Sequence, residues 1–187
     1  MKIVGFVGMP GSGKSVAADV ARDMNIPVFV MGDVIREEAA QRGLDPTDKN
    51  LGQVGQQLRE KEGSCAVADR CMQKTNSCSS DLVVIEGIRS KVEVDFFKGC
   101  CGDFRLIEIW VPNELRLKRI ASRGRSDDAN EDHLDEAVFK RDSRELGWGM
   151  GEAIRSADVR IENVGTMEEL KEKVRAFLEG IQTKETS

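Results

Sequence analysis

The stretch Gly5–Ser15, "GFVGMPGSGKS", follows a short apolar run and crowds glycines, a proline and a lysine into a few positions. Gly8, Gly13, Lys14 and Ser15 satisfy the spacing G-x-x-x-x-G-K-[ST] of a phosphate-binding loop. Glycines let successive backbone N–H groups converge on phosphate oxygens, and the helix that follows offers its positive dipole end. The loop residues Gly8, Met9, Pro10, Gly11, Ser12, Gly13, Lys14, Ser15 and Val16 are therefore expected to cradle a polyphosphate. Lys14 would reach the β and γ phosphates and the Ser15 hydroxyl would ligate Mg2+, so ATP with Mg2+ is the expected ligand.

Outward from the loop the pattern is strand, glycine loop, helix. Lys2–Val7 reads as a buried parallel strand, and Val16, Ala17, Val20, Ala21 and Met24 recur at helical spacing from near Lys14. Further strands are expected at Pro27–Met31, Leu82–Ile85, Leu106–Val111 and Asp158–Ile161, each followed by a helical pattern. The helix after the second strand should start near Asp33, whose carboxylate would cap it, and end at Gly43. Pro112 suits the first position of the helix after the fourth strand. Residues 45–63, "DPTDKNLGQVGQQLREKEG", are polar and glycine-spaced and read as a helical excursion on the surface. Strands alternating with helices predict a parallel sheet covered on both faces.

Composition narrows the class. A chain of 187 residues suits a single domain, expected over residues 1–182 with a disordered tail at 183–187. The net charge of −5 argues against general nucleic-acid binding, which needs a basic surface. No apolar stretch reaches a membrane span or a signal-peptide core, so a cytoplasmic protein with no membrane partner is expected. The five cysteines show no C-x-x-C spacing and read as reduced structural thiols. Trp110, Trp148 and the lone His133 read as packing or surface residues.

Three further constellations carry chemistry. In "VVIEGIRS", Glu86 ends a buried strand, where an unpartnered carboxylate is costly and an acid can organise Mg2+. In "VFVMGDVIREE", Asp33 and Arg36 are spaced to share a helix face, and with Arg89 they fall at the carboxyl ends of strands, where parallel sheets bind ligands. In the polar segment "RGRSDDANED" and the charged helix beyond it, about residues 123–145, the composition is that of a lid. Among its arginines, Arg123 and Arg141 are best placed to neutralise a transferring phosphoryl group.

These pieces resemble the nucleoside monophosphate kinase superfamily over nearly the whole chain. "GMPGSGKS", "GDVIRE" and "EGIRS" look like the adenylate kinase loop, acceptor motif and following arginine segment. "VFVMGDVIREEA" and "ADVRIENVGTMEELKEKV" are similar to dephospho-coenzyme A kinase. The chain most resembles a mainly archaeal family of kinase-like P-loop proteins between those two. The resemblance implies an α/β three-layer sandwich with a five-stranded parallel sheet in the order 2-3-1-4-5, an acceptor-binding excursion at about 33–75 and a short lid. It also implies an acceptor that is a nucleotide or nucleotide-like small molecule. Glu86 stands where those kinases have aspartate, and Ile88 and Arg89 stand where they have an aromatic residue and a proline before arginine. Asp33 divides the readings: with a hydroxyl acceptor it would be the general base, whereas Arg36 and Arg89 would grip the phosphate of a nucleoside monophosphate. A nucleotide-binding switch or assembly factor with weak ATPase activity and a macromolecular partner is the alternative from another class.

Overall fold

The computed structural model describes residues 1–123 and 134–183. Among these, strands β1 (Lys2–Val7), β2 (Val28–Val30), β3 (Leu82–Glu86), β4 (Phe104–Trp110) and β5 (Val159–Glu162) form one parallel sheet in the order β2-β3-β1-β4-β5. This is the α/β order expected from the resemblance. The helices are α1 (Lys14–Asp23), α2 (Met31–Gln41), α3 (Asp48–Glu62), α4 (Ala66–Thr75) and α5 (Lys91–Cys100). They continue as α6 (Asn113–Arg123), α7 (Leu134–Gly147), α8 (Met150–Arg155) and α9 (Met167–Gln182).

Both faces of the sheet are apolar because its strands alternate between two cores. Ile3, Val83, Ile85 and Leu106 pack with α2, α3, α4, α5 and α8, while Val4, Phe6, Val84, Ile107 and Ile109 pack with α1 and α9. The stripe Leu170, Val174 and Leu178 is the buried side of α9, with Phe177 and Ile181 partly buried beside it. Its N-terminus carries a reciprocal cap: the Thr166 hydroxyl accepts from the Glu169 N–H, and the Glu169 carboxylate accepts from the Thr166 N–H.

Several expectations are corrected. The excursion at 45–63 is not a surface feature: α3 buries Val54 and Leu58 in the core, at 1 % exposure each. Its glycines explain why the sequence looked too polar. A Cβ on Gly55 would stand 3.2 Å from Ile35 of α2, and one on Gly52 3.0 Å from the Arg144 guanidinium, so bare backbone serves as packing surface. Asp33 does not cap α2; the helix begins two residues earlier, with Val30 at the cap position and no side-chain cap. Gly43 does end α2, in the left-handed region at φ 68° just past Arg42. Pro112 precedes the first helical residue of α6, and its carbonyl accepts from the Arg116 N–H at 3.0 Å. Helix α8, entered through Gly149 at φ 97°, was not anticipated; it buries Met150 and Ala153.

The lid segment from 124 to 133, with His133, and the tail from 184 lie outside the described residues. No disulfide joins the cysteines, and burial pushes the Cys71 thiol up to about 12. No helix among the described residues is long and apolar enough to cross a membrane.

Candidate active site

The loop runs from the end of β1 into α1, and the parallel register sets the rest of the site around it. Glu86, the last residue of β3, pairs in register with Phe6 of β1 and Val30 of β2, so its carboxylate emerges at the carboxyl edge of the sheet. There the Ser15 hydroxyl donates to Glu86 Oε1 at 3.2 Å. Gly87 follows at φ 94°, turning the chain to present Arg89.

The loop is built of strained backbone that only glycine tolerates at its tightest points. Gly13, the N-cap of α1, has φ 106°, and a Cβ there would lie 2.5 Å from Asn163 Nδ2. Asn163 itself is buried, and its amide donates to the Ser12 carbonyl at 2.8 Å, tying the loop to the chain after β5. The Lys14 ammonium donates to its own loop carbonyls, Gly8 O at 2.6 Å and Met9 O at 3.1 Å. Burial pushes Lys14 down to about 8, against the pull of Glu145 and Glu86, which favour the charged form.

A cleft of about 470 Å3 opens over these groups. The loop residues Pro10, Gly11, Gly13, Lys14, Ser15 and Val16 form one wall. Glu86, Arg36 and Arg89 stand on another, with Arg141 and Glu145 from α7 and Arg119 from α6 closing it. Arg36 reaches the cleft while paired with Asp33 at 2.5 Å; Asp33 is half exposed and does not line it. The Arg123 side chain lies outside the described part of the molecule.

Glu145 was not singled out from the sequence. Its carboxylate is 3 % exposed and lies 3.2 Å from the Arg89 guanidinium and 3.4 Å from Arg141 Nε. Burial pushes its pKa up, but Arg89, Arg141 and Lys14 together outweigh burial and hold it below the usual carboxylate value. A signal existed: Val138, Arg141, Asp142 and Glu145 fall at helical spacing on one face, and Val138 is buried.

Arg116 was also missed. It is 5 % exposed, donates to the Pro10 carbonyl at 3.2 Å and forms a two-pronged pair with Asp142, at 3.0 and 2.5 Å. It therefore ties α6 and α7 to the loop. On the far side, Arg144 binds both oxygens of Asp48 at 2.8 and 3.0 Å, fastening α7 to the start of α3.

Trp148 does more than pack. The Arg59 guanidinium lies 4.6 Å from its ring centre, with Arg144 at 5.7 Å and Arg89 at 6.0 Å. Glu93, fully buried, accepts from Arg59 Nη2 at 2.7 Å and from the Arg89 N–H at 2.8 Å, fixing the backbone of the segment that carries Arg89.

The donor set fits a nucleotide polyphosphate with Mg2+. The glycine-built loop leaves backbone where side chains would intrude, and the Ser15–Glu86 oxygen pair suits a hard cation. No cluster of three His, Cys, Asp or Glu exists among the described residues, and Mg2+ commonly takes one or two protein oxygens plus phosphates and water.

Comparison with known proteins agrees with the loop and the fold. The family model described as AAA domain matches residues 7–135, which defines a P-loop nucleotide-binding domain of the kinase-like kind. A UPF0200 protein of Methanothrix thermoacetophila is 56 % identical over 179 residues, covering 96 % of this chain and 97 % of its own length. A UPF0200 protein of Methanosarcina barkeri is 51 % identical over 175 residues, covering 93 % and 92 %. The chain belongs to the UPF0200 family of archaeal P-loop proteins, within the AAA-domain class. Among solved structures, TT1252 from Thermus thermophilus superimposes with a TM-score of 0.61 at 21 % identity, over 96 % of this chain and 97 % of that one. Shikimate kinase from Aquifex aeolicus does so with a TM-score of 0.55 at 18 % identity, over 96 % and 98 %. Both likenesses are of fold.

Proposed function

We propose that the protein is an ATP- and Mg2+-dependent phosphotransferase whose acceptor bears a phosphate, a nucleoside monophosphate or related nucleotide. The observation that carries this reading is that Arg36 and Arg89 line the same cleft as the loop, Lys14 and the Ser15–Glu86 pair. A donor cradle alone suits any P-loop protein. Two guanidiniums opposite it supply a second anion site, and guanidinium forks match phosphate geometry.

In this reading the loop amides and Lys14 hold the triphosphate of ATP, and Ser15 and Glu86 hold Mg2+. Held by those two oxygens, Mg2+ would supply the positive charge that offsets the negative charge left on the departing diphosphate. Arg36 and Arg89 orient the acceptor phosphate, and Arg141 meets the charge that develops on the γ-phosphoryl group as its bond to the β-phosphate breaks. A phosphate acceptor is already ionised at neutral pH, so no general base is required. The pairing of Asp33 with Arg36, outside the lining, weighs against its service as a base for a hydroxyl acceptor.

The test is a coupled ADP-release assay across the nucleoside monophosphates and dephospho-coenzyme A. Acceptor-stimulated turnover with a nucleoside monophosphate, weakened in Arg36→Met and Arg89→Met mainly through acceptor KM, is the expected result. Turnover only with dephospho-coenzyme A would replace this reading with hydroxyl transfer. ATP hydrolysis indifferent to every small acceptor, but raised by a macromolecular partner, would replace it with a switch.

A further inference from the structure

The unusual feature of the cleft is a carboxylate in the middle of its cations. Phosphate sites are normally lined by donors, yet Glu145 is nearly sealed from solvent, with Arg89 at 3.2 Å and Arg141 at 3.4 Å. These arginines come from different elements. Arg89 lies in the segment between β3 and α5, and Arg141 stands one helical turn before Glu145 on α7. Lys14, from the loop, is near enough to feel the same carboxylate. Without a shared counter-ion, three positive groups facing one cleft would repel one another, and long guanidinium side chains would relax toward water.

The surroundings show that Glu145 is held in place. Asp142, three positions before it, is pinned by Arg116, which also grips the loop at Pro10 O. Arg144, its neighbour, is pinned by Asp48 at the start of α3. Asp48 also lies 3.7 Å from Arg141. The carboxylate is thus fixed by its own helix rather than by the arginines it contacts.

We infer that Glu145 is a positioning residue: its carboxylate, bridging Arg89 and Arg141, holds the acceptor-side and transfer-side guanidiniums aimed into the cleft before substrate arrives. It touches no reacting atom in this role. The inference rests on the phosphotransferase reading for its kinetic consequence, though not for its geometry.

The consequence is a split in kinetic constants. The triphosphate is held largely by loop amides that Glu145 does not touch, so Glu145→Gln should leave KM for ATP within about 3-fold. Acceptor-dependent kcat/KM should fall about 10-fold to 100-fold, the scale of a mis-set charge-assisted hydrogen bond. Glu145→Asp, which keeps the charge on a shorter arm, should recover part of it. A parallel loss for ATP and acceptor would mean general loosening of α7 and overturn the inference. A rise in acceptor kcat/KM would show that Glu145 competes with phosphate, and would overturn it too.

A second readout needs no acceptor. The Arg141 Nε–H, assigned by its disappearance in Arg141→Lys, should give a slowly exchanging NMR signal in the ligand-free protein that is lost in Glu145→Leu, which removes the accepting oxygen at similar volume. Its persistence in that variant would overturn the bridge whatever the assay shows. If the wild type turns over no acceptor but the signal behaves as expected, the phosphotransferase reading fails and the positioning role stands.

Discussion

The loop after β1 and the C-terminal half of α7 face each other across one cleft, but they manage charge by different means. The loop presents backbone amides, fixed by glycines in conformations that a side chain would spoil. The opposite wall presents side chains fixed by other side chains: Arg89 and Arg141 by Glu145, with Glu93 holding the Arg89 backbone, on a helix fastened by the Arg144–Asp48 and Asp142–Arg116 pairs. A backbone cradle is cheap to specify, since a few contiguous residues determine it. A side-chain lattice needs residues from four helices and a loop to arrive together, and it yields one member at a time.

The largest effect expected from breaking this contrast is at Gly13. Gly13→Ala forces an L-residue to φ 106° and drives a Cβ to within 2.5 Å of Asn163 Nδ2. Roughly 2 kcal/mol of backbone strain and about as much for displacing a buried amide predict an affinity for a non-hydrolysable ATP analogue about 1000-fold weaker. Calorimetric titration measures it. Near-normal binding would show that the cradle is not set by backbone shape.

Next in size is Leu58→Ala, which separates the structure of α3 from its appearance in the sequence. A surface excursion would lose almost nothing. With Leu58 1 % exposed, the loss should be about 3 kcal/mol by chemical denaturation. Because α3 also carries Asp48, which holds Arg144, acceptor turnover should suffer more than ATP binding.

How much of this was legible follows the same divide. "GFVGMPGSGKS" and the strand-ending "VVIEGIRS" point to the glycine-built loop and to the two residues, Ser15 and Glu86, that meet beside it, because each lies in a short contiguous stretch flanked by regular periodicity. The sheet order came through resemblance and agrees with the structure. Residues 45–63 misled because composition counts glycine as a loop former, whereas Gly52 and Gly55 are buried where helices approach closely. Glu145, Arg116 and Asn163 were hidden for another reason. Each acts through a partner at least 26 positions away, and a charged residue on a charged helix looks solvated until its neighbours are known.

A smaller perturbation tests whether α7 is fastened to the loop independently of any bound phosphate. Asp142→Asn leaves Arg116 buried with its Pro10 contact and without its charge partner. Because Asp142 is partly exposed, the penalty should be about 2 kcal/mol, below that of a fully buried pair, with Tm lower by roughly 4–8 °C in the ligand-free protein. Differential scanning calorimetry reads it. An unchanged Tm would mean that α7 docks without the Arg116–Asp142 pair, through Asp48, the Glu145–Arg89 contact and apolar packing.

The smallest effect gives the sharpest comparison, because it removes the same interaction at two places. Ser90 and Thr166 are both N-caps whose hydroxyls accept from the backbone N–H three residues on, in each case that of a glutamate. Ser90→Ala and Thr166→Ala should each cost about 1 kcal/mol of stability. At Thr166 the effect should end there, since α9 is anchored by its Leu170, Val174 and Leu178 stripe. At Ser90 the cap also steadies Glu93, whose carboxylate holds the Arg89 N–H, so the acceptor KM should rise while KM for ATP does not. Equal stability losses with unequal kinetics would locate the sensitivity in the side-chain wall. Equal kinetics would mean that Arg89 is aimed by its guanidinium contacts with Glu145 and Trp148, and that its backbone anchor is redundant.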